Sequence, residues 1–204
     1  MKVIDKFVFV HILKCAGTTL RHSLFEKKFK GRYLYDSTFK HKLNILVDNP
    51  EHPVIIEPQQ YPDDYEKYDI LFGHFNYKKY KHLNRPMFSF VRHPVDRIID
   101  QYFYHKKFYT DRGNNMSLIE FSGIWKNHMS NVLGNIDRYE YIGIVENLEK
   151  SLNKMCDIIG ISHVEKLTTR RFATPTKIDE KIKNNIAEIN SKDMELYENI
   201  IVKS

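Results

Sequence analysis

Residues 6–20, with the sequence KFVFVHILKCAGTTL, constrain the fold of this chain most strongly. The apolar run at their start is typical of a buried strand, and Lys14 and Gly17 then mark a turn before Thr18 and Thr19. Backbone N–H groups in the first turn of a helix have no partner within the helix and lie at the positive end of its dipole. A strand, a turn and a helix of this composition therefore predict an anion-binding loop.

The order of residues in this turn differs from the nucleotide-binding pattern GxxxxGK[ST], in which Lys stands directly before Ser or Thr. Here Lys14 precedes Gly17, so its ammonium group would reach an anion from the strand side. The hydroxyl and amide groups of Thr18 and Thr19 would approach from the helix side. A plain strand-to-helix connection, in which Thr18 only caps the helix, is the alternative.

Two further segments end a predicted strand on a polar residue. In residues 86–108, PMFSFVRHPVDRIIDQYFYHKKF, a strand-like run ends at Arg92 and Pro94 suits the first turn of a helix. In DILFGHF, residues 69–75, an apolar strand ends at Gly73 and His74. As alternatives, Arg92 pairs with Asp96 at a strand end, and His74 is satisfied by a backbone carbonyl.

Strand and helix patterns alternate along the chain, which predicts an α/β, three-layer fold with a mostly parallel central sheet and ligands at the carboxyl ends of the strands. At 204 residues with 42% apolar residues, one domain over residues 1–204 is expected. The predicted strands are 6–11, 54–57, 69–73, 86–91 and 141–145. The predicted helices are 18–29, 38–48, 94–108, 117–132 (with Ser117 and Glu120 as a capping box), 147–159, 179–189 and 191–201.

The ordered set HILKCAGTTL, FGHF and FVRHPVDRIIDQYFY resembles the carbohydrate sulfotransferases, in particular the heparan sulfate 2-O-sulfotransferase-like branch. The likeness covers most of the chain and continues through residues 141–161. It implies a P-loop-like fold and a sulfotransferase that moves a sulfuryl group from 3′-phosphoadenosine 5′-phosphosulfate (PAPS) to a hydroxyl group of a carbohydrate. The product nucleotide would be 3′-phosphoadenosine 5′-phosphate (PAP), and no metal would be required.

The resemblance also implies roles for individual residues. The loop Lys14, Cys15, Ala16, Gly17, Thr18 and Thr19 would hold the 5′-phosphosulfate, with Lys14 neutralising the leaving phosphate. Arg92 would bind the 3′-phosphate, and His74 would act as general base on the acceptor hydroxyl. Arg170 and Arg171 would belong to a basic loop that closes over the cofactor, with a solvated basic turn as the alternative. His11 is expected to belong to the first strand rather than to catalysis.

Asp100 departs from the pattern of the family. Eight residues after the phosphate-binding arginine the family typically has a Ser that also touches the 3′-phosphate, and this chain has Asp100. A carboxylate beside a dianionic phosphate is repulsive, at a cost on the order of 1 kcal/mol at separations of a few Å. Asp100 is therefore expected either to point away, to pair with a base such as Arg97, or to rearrange the binding of the 3′-phosphate.

The chemistry explains the residue types. Sulfuryl transfer resembles phosphoryl transfer, so the protein mainly positions groups and stabilises charge. An imidazole with an unperturbed pKa near ~6.5 suits proton removal from an alcohol at neutral pH. A nucleotide-dependent kinase on a related scaffold and a non-catalytic nucleotide-binding module are the alternatives. The pI near 9.1 also suits nucleic acid, but no recognition motif for it is visible.

Charge and cysteine content add expectations about partners and location. Residues 1–50 carry ten Lys/Arg and four Asp/Glu, so they hold the whole net charge of +6. The basic run KKYKHLNR at 78–85 would steer an acidic glycan toward His74, or else form a solvated surface. Cys15 and Cys156 form neither a disulfide framework nor a metal motif. No signal peptide or transmembrane segment is recognisable, so a cytoplasmic protein is expected.

Overall fold

Five parallel strands form the central sheet, in the order β2-β3-β1-β4-β5. The computed structural model describes residues 3–36, 64–108, 116–167 and 177–203. The α/β architecture with a parallel sheet flanked by helices is confirmed. The strands are β1 (Phe7–Val10), β2 (Tyr33–Asp36), β3 (Ile70–Gly73), β4 (Met87–Val91) and β5 (Tyr139–Ile144).

The first helix, α1, covers residues 17–28 in three consecutive parts. Gly17–Leu20 is α-helical, Arg21–Phe25 has the wider π-helical hydrogen bonding, and Glu26–Lys28 is α-helical again. The remaining helices are α2 (Pro94–Phe108), α3 (Leu118–Ile124), α4 (His128–Leu133), α5 (Leu148–Ile159), α6 (Glu180–Ile189) and α7 (Ser191–Lys203). No helix among the described residues is long and apolar enough to cross a membrane.

The three central strands are buried along their whole length, as parallel strands covered on both faces should be. Phe7 and Phe9 of β1 contact Phe25 of α1 and neighbouring aromatic rings of β3 and β4. A second cluster forms around α2, whose buried apolar side chains pack against Phe121 and Trp125. The core thus fixes α1 and α2 against the sheet, and these two helices begin beside the ends of β1 and β4.

Most predicted elements are confirmed to within two residues at each end, and the capping box of Ser117 and Glu120 is present. The predicted helix 117–132 is wrong in one respect, because Asn127 adopts a left-handed conformation (φ 50°) and separates α3 from α4. The sequence did not predict β2, an edge strand that is only partly buried. The predicted strand 54–57 and helix 38–48 lie outside the described residues.

A buried ion pair connects β2 with the segment that follows β3. Lys79 Nζ lies 2.6 Å from Asp36 Oδ2, and both side chains are at most 4% exposed. The hydroxyl of Tyr80 donates to the same oxygen at 2.8 Å, and the backbone N–H of His74 donates to the carbonyl of Asp36 at 3.1 Å. The absence of a side chain at Gly73 permits this close approach of the two backbones, since a Cβ there would lie 1.9 Å from the backbone carbonyl oxygen of Asp36.

The C-terminal helices are attached through a second buried polar group. Asp193 of α7 accepts hydrogen bonds from the backbone N–H groups of Met129 and Ser130 at 3.0 and 2.7 Å. It also lies 3.9 Å from the fully buried guanidinium of Arg97 on α2. Because Arg97 belongs to α2, this contact holds α7 against the helix that follows β4.

Replacing Lys79 by Met should destabilise the protein, because it leaves the Asp36 carboxylate buried without its cation. Removing one partner of a buried ion pair typically costs about 3 kcal/mol or more. The free energy of unfolding, measured in urea, should fall accordingly. The neighbouring exposed Lys78→Met variant is the matched control and should change it little. Equal unfolding midpoints for both variants would contradict the role of the pair.

Candidate active site

A cleft of about 820 Å³ opens at the carboxyl ends of the central strands. It brings together residues that the sequence predicted from three separate segments: the loop after β1, the end of β3 and the end of β4. The predicted site residues that line it are Lys14, Ala16, Gly17, Thr18, Thr19, His74, Arg92 and Asp100. Cys15 does not line it, since its side chain is completely buried. Arg170 and Arg171 lie outside the described residues.

The loop after β1 has a shape that suits an anion. Lys14 and Ala16 are both left-handed, with φ of 67° and 59°, a conformation that non-glycine residues adopt at a cost and that is concentrated at functional sites. The first helical hydrogen bond of α1 runs from the N–H of Leu20 to the carbonyl of Ala16 at 2.9 Å. The N–H groups of residues 17–19 precede it and are available for a ligand at the start of the helix. We call residues 14–19 the cradle.

Lys14 is half-buried beside charges of both signs. Burial lowers the pKa of its ammonium group, the Asp100 carboxylate acts in the opposite direction, and the Arg92 guanidinium lowers the pKa further. The nitrogen also lies 4.6 Å from the centre of the Tyr104 ring. The cradle, Arg92 and α2 therefore face one another across the cleft.

Asp100 forms an ion pair with Arg92, and this settles its orientation. Of the alternatives for Asp100, pairing with a base is what the structure has, but the base is not Arg97, which is fully buried beside Asp193 of α7. The alternative that Arg92 pairs with Asp96 is not what the structure has either. Part of the positive charge at the end of β4 is thus balanced by a carboxylate of the protein.

His74 is buried and held in one orientation. Its Nδ1 lies 3.0 Å from the backbone carbonyl of His11. Because a carbonyl oxygen only accepts, Nδ1 carries the proton in the neutral ring and Nε2 carries the lone pair. Burial lowers the pKa of His74 to about 4, against smaller opposite effects of this hydrogen bond and of Asp36. At neutral pH the ring is therefore an uncharged proton acceptor at Nε2.

Several cleft residues were not predicted as part of the site. His11, Arg21 and Tyr35 line the cleft, and so does Tyr104 of α2. His11 stands one residue after β1, so the rule that strand ends face a site would have found it. Tyr35 could not be found in this way, because β2 itself was not predicted.

The basic side chains of the run 78–85 do not all face solvent as one charged surface. Lys79 is buried in its ion pair with Asp36, and Arg85 donates to the backbone carbonyls of Tyr68 and Asp69 at 2.8 and 3.2 Å. Two of its four basic residues thus hold the fold together, which removes much of the charge expected to steer an acidic glycan.

The chain resembles known proteins both in sequence and in structure. The family model described as Sulfotransferase family matches residues 1–198. A search of curated proteins finds no significant match. A sulfotransferase from Alicyclobacillus acidocaldarius has a similar structure, with a TM-score of 0.53 and 12% identity over 94% of this chain and 95% of that one. This likeness confirms the P-loop-like α/β fold.

Two more distant structures are also similar. Mouse sulfotransferase SULT7A1 complexed with PAP has a TM-score of 0.48 and 13% identity over 95% of this chain. Retinol dehydratase in complex with androsterone and inactive cofactor PAP has a TM-score of 0.44 and 14% identity over 98% of this chain. This chain spans 66% of the mouse protein and 71% of the dehydratase.

The low pKa of His74 predicts how stability depends on pH. The unfolded chain takes up a proton near pH 6.5, whereas the folded ring does so near pH 4. The stability that His74 contributes is therefore fully present above pH 6.5 and is lost as the pH falls toward 4. In an NMR titration, the ring resonance of His74, assigned with a His74→Asn variant, should not move between pH 8 and 5.5. A midpoint near 6.5 would show that the ring is not buried in this way.

Proposed function

Because this chain belongs to the sulfotransferase family, we propose that it transfers a sulfuryl group from PAPS to a hydroxyl group of a carbohydrate. The observation that carries the proposal is the meeting of the cradle, Arg92 and His74 in one cleft. The family match favours sulfuryl transfer over the kinase alternative. No metal takes part in the proposed reaction.

The cleft suits an anionic nucleotide donor. Its volume of about 820 Å³ lies within the range of ligand sites, ~300–1,000 Å³. The N–H groups of residues 17–19 and the ammonium of Lys14 would hold the 5′-phosphosulfate, and the guanidinium of Arg92 would bind the 3′-phosphate. Gly17 leaves no room for a side chain, so the backbone itself forms this wall.

Proton transfer is assigned to His74. Its Nε2 lone pair would take the proton of the acceptor hydroxyl while that oxygen forms a bond to sulfur and the bond between sulfur and the phosphate oxygen breaks. Lys14 would stabilise the negative charge that remains on the leaving phosphate. A pKa near 4 makes the free ring a weak base, but the negative charge of a bound donor stabilises the imidazolium and raises this pKa.

Aromatic and basic side chains support a carbohydrate acceptor. Tyr35 and Tyr104 line the cleft, and the ring of Tyr35 lies 6.2 Å from that of His74. Arg21, whose guanidinium lies 5.5 Å from the Tyr35 ring, donates through Nε to Glu26 at 2.9 Å, and its terminal N–H groups would favour an acidic group on the acceptor. An acidic glycan of the heparan sulfate type, as the motifs suggest, fits this lining. The cytoplasmic location and the single domain over residues 1–204 stay predictions of the sequence.

Thermal unfolding with nucleotides tests the proposal. PAP should raise the melting temperature because it binds only the folded protein, and ATP should do so much less at equal concentration. A His74→Asn variant should keep the response to PAP but lose transfer of radiolabelled sulfuryl groups to a panel of glycans. Its cradle is unchanged, so the loss would report on the base alone.

The outcomes separate the alternatives. Stabilisation by ATP but not by PAP would favour a kinase, and binding of PAP without transfer to any acceptor would favour a non-catalytic module. Unchanged transfer by His74→Asn would remove His74 from the mechanism.

Replacing Asp100 by Asn should strengthen the binding of PAP. The carboxylate competes with the 3′-phosphate for Arg92 and repels it, and removing a repulsion on the order of 1 kcal/mol corresponds to roughly a five- to tenfold lower Kd. Isothermal titration calorimetry at low ionic strength would measure the change.

Asp96→Asn is the matched control, since Asp96 lies on the same helix, lines the same cleft and carries the same charge. An equal gain in both variants would indicate a general charge effect rather than release of Arg92. A weaker affinity of Asp100→Asn would show that the carboxylate supports the bound state.

A further inference from the structure

His11 is a buried histidine without a visible structural reason for its polarity. Its side chain is among the buried polar groups at 9% exposure, and it lines the cleft. Neither ring nitrogen has a hydrogen-bond partner within the part of the chain that the structure describes. Buried polar atoms are normally paired, so an orphaned one calls for a partner that is not part of the protein.

The ring lies between the cradle and the proposed base. A Cβ on Gly17 would come within 1.8 Å of His11 Cε1 and Nε2, so this edge of the ring rests directly on the cradle backbone. On its other side, the His11 ring lies 4.1 Å from the ring of His74, centre to centre. The sulfuryl group must pass between these same two places, from the cradle to the acceptor at His74.

The ring is neutral and therefore offers one donor and one acceptor. Burial, and then the neighbouring His74, lower the pKa of His11 well below its usual value. A neutral imidazole carries one N–H group and one lone pair. It can thus donate to an anionic oxygen through its N–H group.

Packing alone does not account for this residue. The ring stacks on Phe72 at 5.2 Å, a contact that an apolar side chain would also make. An apolar side chain would avoid burying two nitrogen atoms without partners, so a purely structural position favours one.

We propose that His11 donates a ring N–H hydrogen bond to an oxygen of the sulfuryl group of the bound donor and positions that group for attack. The proposal rests on the proposed function, and it includes a small displacement of the cradle at Gly17 when the donor binds. The N–H group of His11 forms only this hydrogen bond, and it loses no proton during transfer.

Comparing two nucleotides tests this directly, because PAPS carries the sulfuryl group and PAP does not. His11→Leu keeps a similar volume and removes both nitrogens. Without acceptor, its Kd for PAPS should rise about tenfold, while its Kd for PAP stays within about twofold of the wild type. Its melting temperature should be equal or higher, because two orphaned polar atoms are gone. His11→Gln, which retains a donor near the position of Nε2, should recover part of the affinity for PAPS.

Control variants keep the test decisive. His82→Leu removes an exposed histidine outside the cleft lining and should change neither affinity. If leucine does not fit, His11→Ala lacks the donor without adding bulk, and the same difference between PAPS and PAP is expected. An unchanged affinity for PAPS, or equal weakening of both nucleotides, would overturn the role of His11. A wild-type protein that binds neither nucleotide would instead overturn the proposed function.

Discussion

The parallel pairing of β1 with β3 on one side and β4 on the other is the constraint on which the site depends. Val10 lies opposite Gly73 in β3 and opposite Ser89 in β4, so the three strands end at the same edge of the sheet. Parallel strands need no tight turns at that edge, and their carboxyl ends are open to a ligand. The register thus brings the cradle together with His74 and Arg92, which follow Lys14 by 60 and 78 residues.

Part of the positive charge of the cleft is paired with a carboxylate of the protein itself. Lys14 and Arg92 supply two cations, and Asp100 removes much of the effect of one of them through its ion pair. In a partly buried site, replacing one ionic partner by another costs more free energy than it would in water. A binding anion must therefore compete with a carboxylate for Arg92, whereas it meets the amides of the cradle without such competition. The two ends of a bound nucleotide would be held by interactions of different strength.

Local sequence signals predicted the parts of the fold that depend on neighbouring residues. The apolar strands, the capping box at Ser117 and the helix over 94–108 all belong to this group. The missed features depend on distant residues. β2 is stabilised at the sheet edge by β3, and Asp36 is neutralised by Lys79, 43 positions away. Helical spacing allowed Arg97 as one partner of Asp100, but Arg97 lies beside the distant Asp193, and Asp100 pairs with Arg92.

The two cleft histidines are coupled through the backbone. The carbonyl of His11 fixes the tautomer of His74, while the side chain of His11 lies between that ring and the cradle. A substitution at position 11 removes the side chain and leaves the carbonyl in place, so the orientation of His74 is retained. In the proposed reaction, the binding of the donor and the activation of the acceptor can therefore be separated experimentally, although both would depend on the one residue that follows β1.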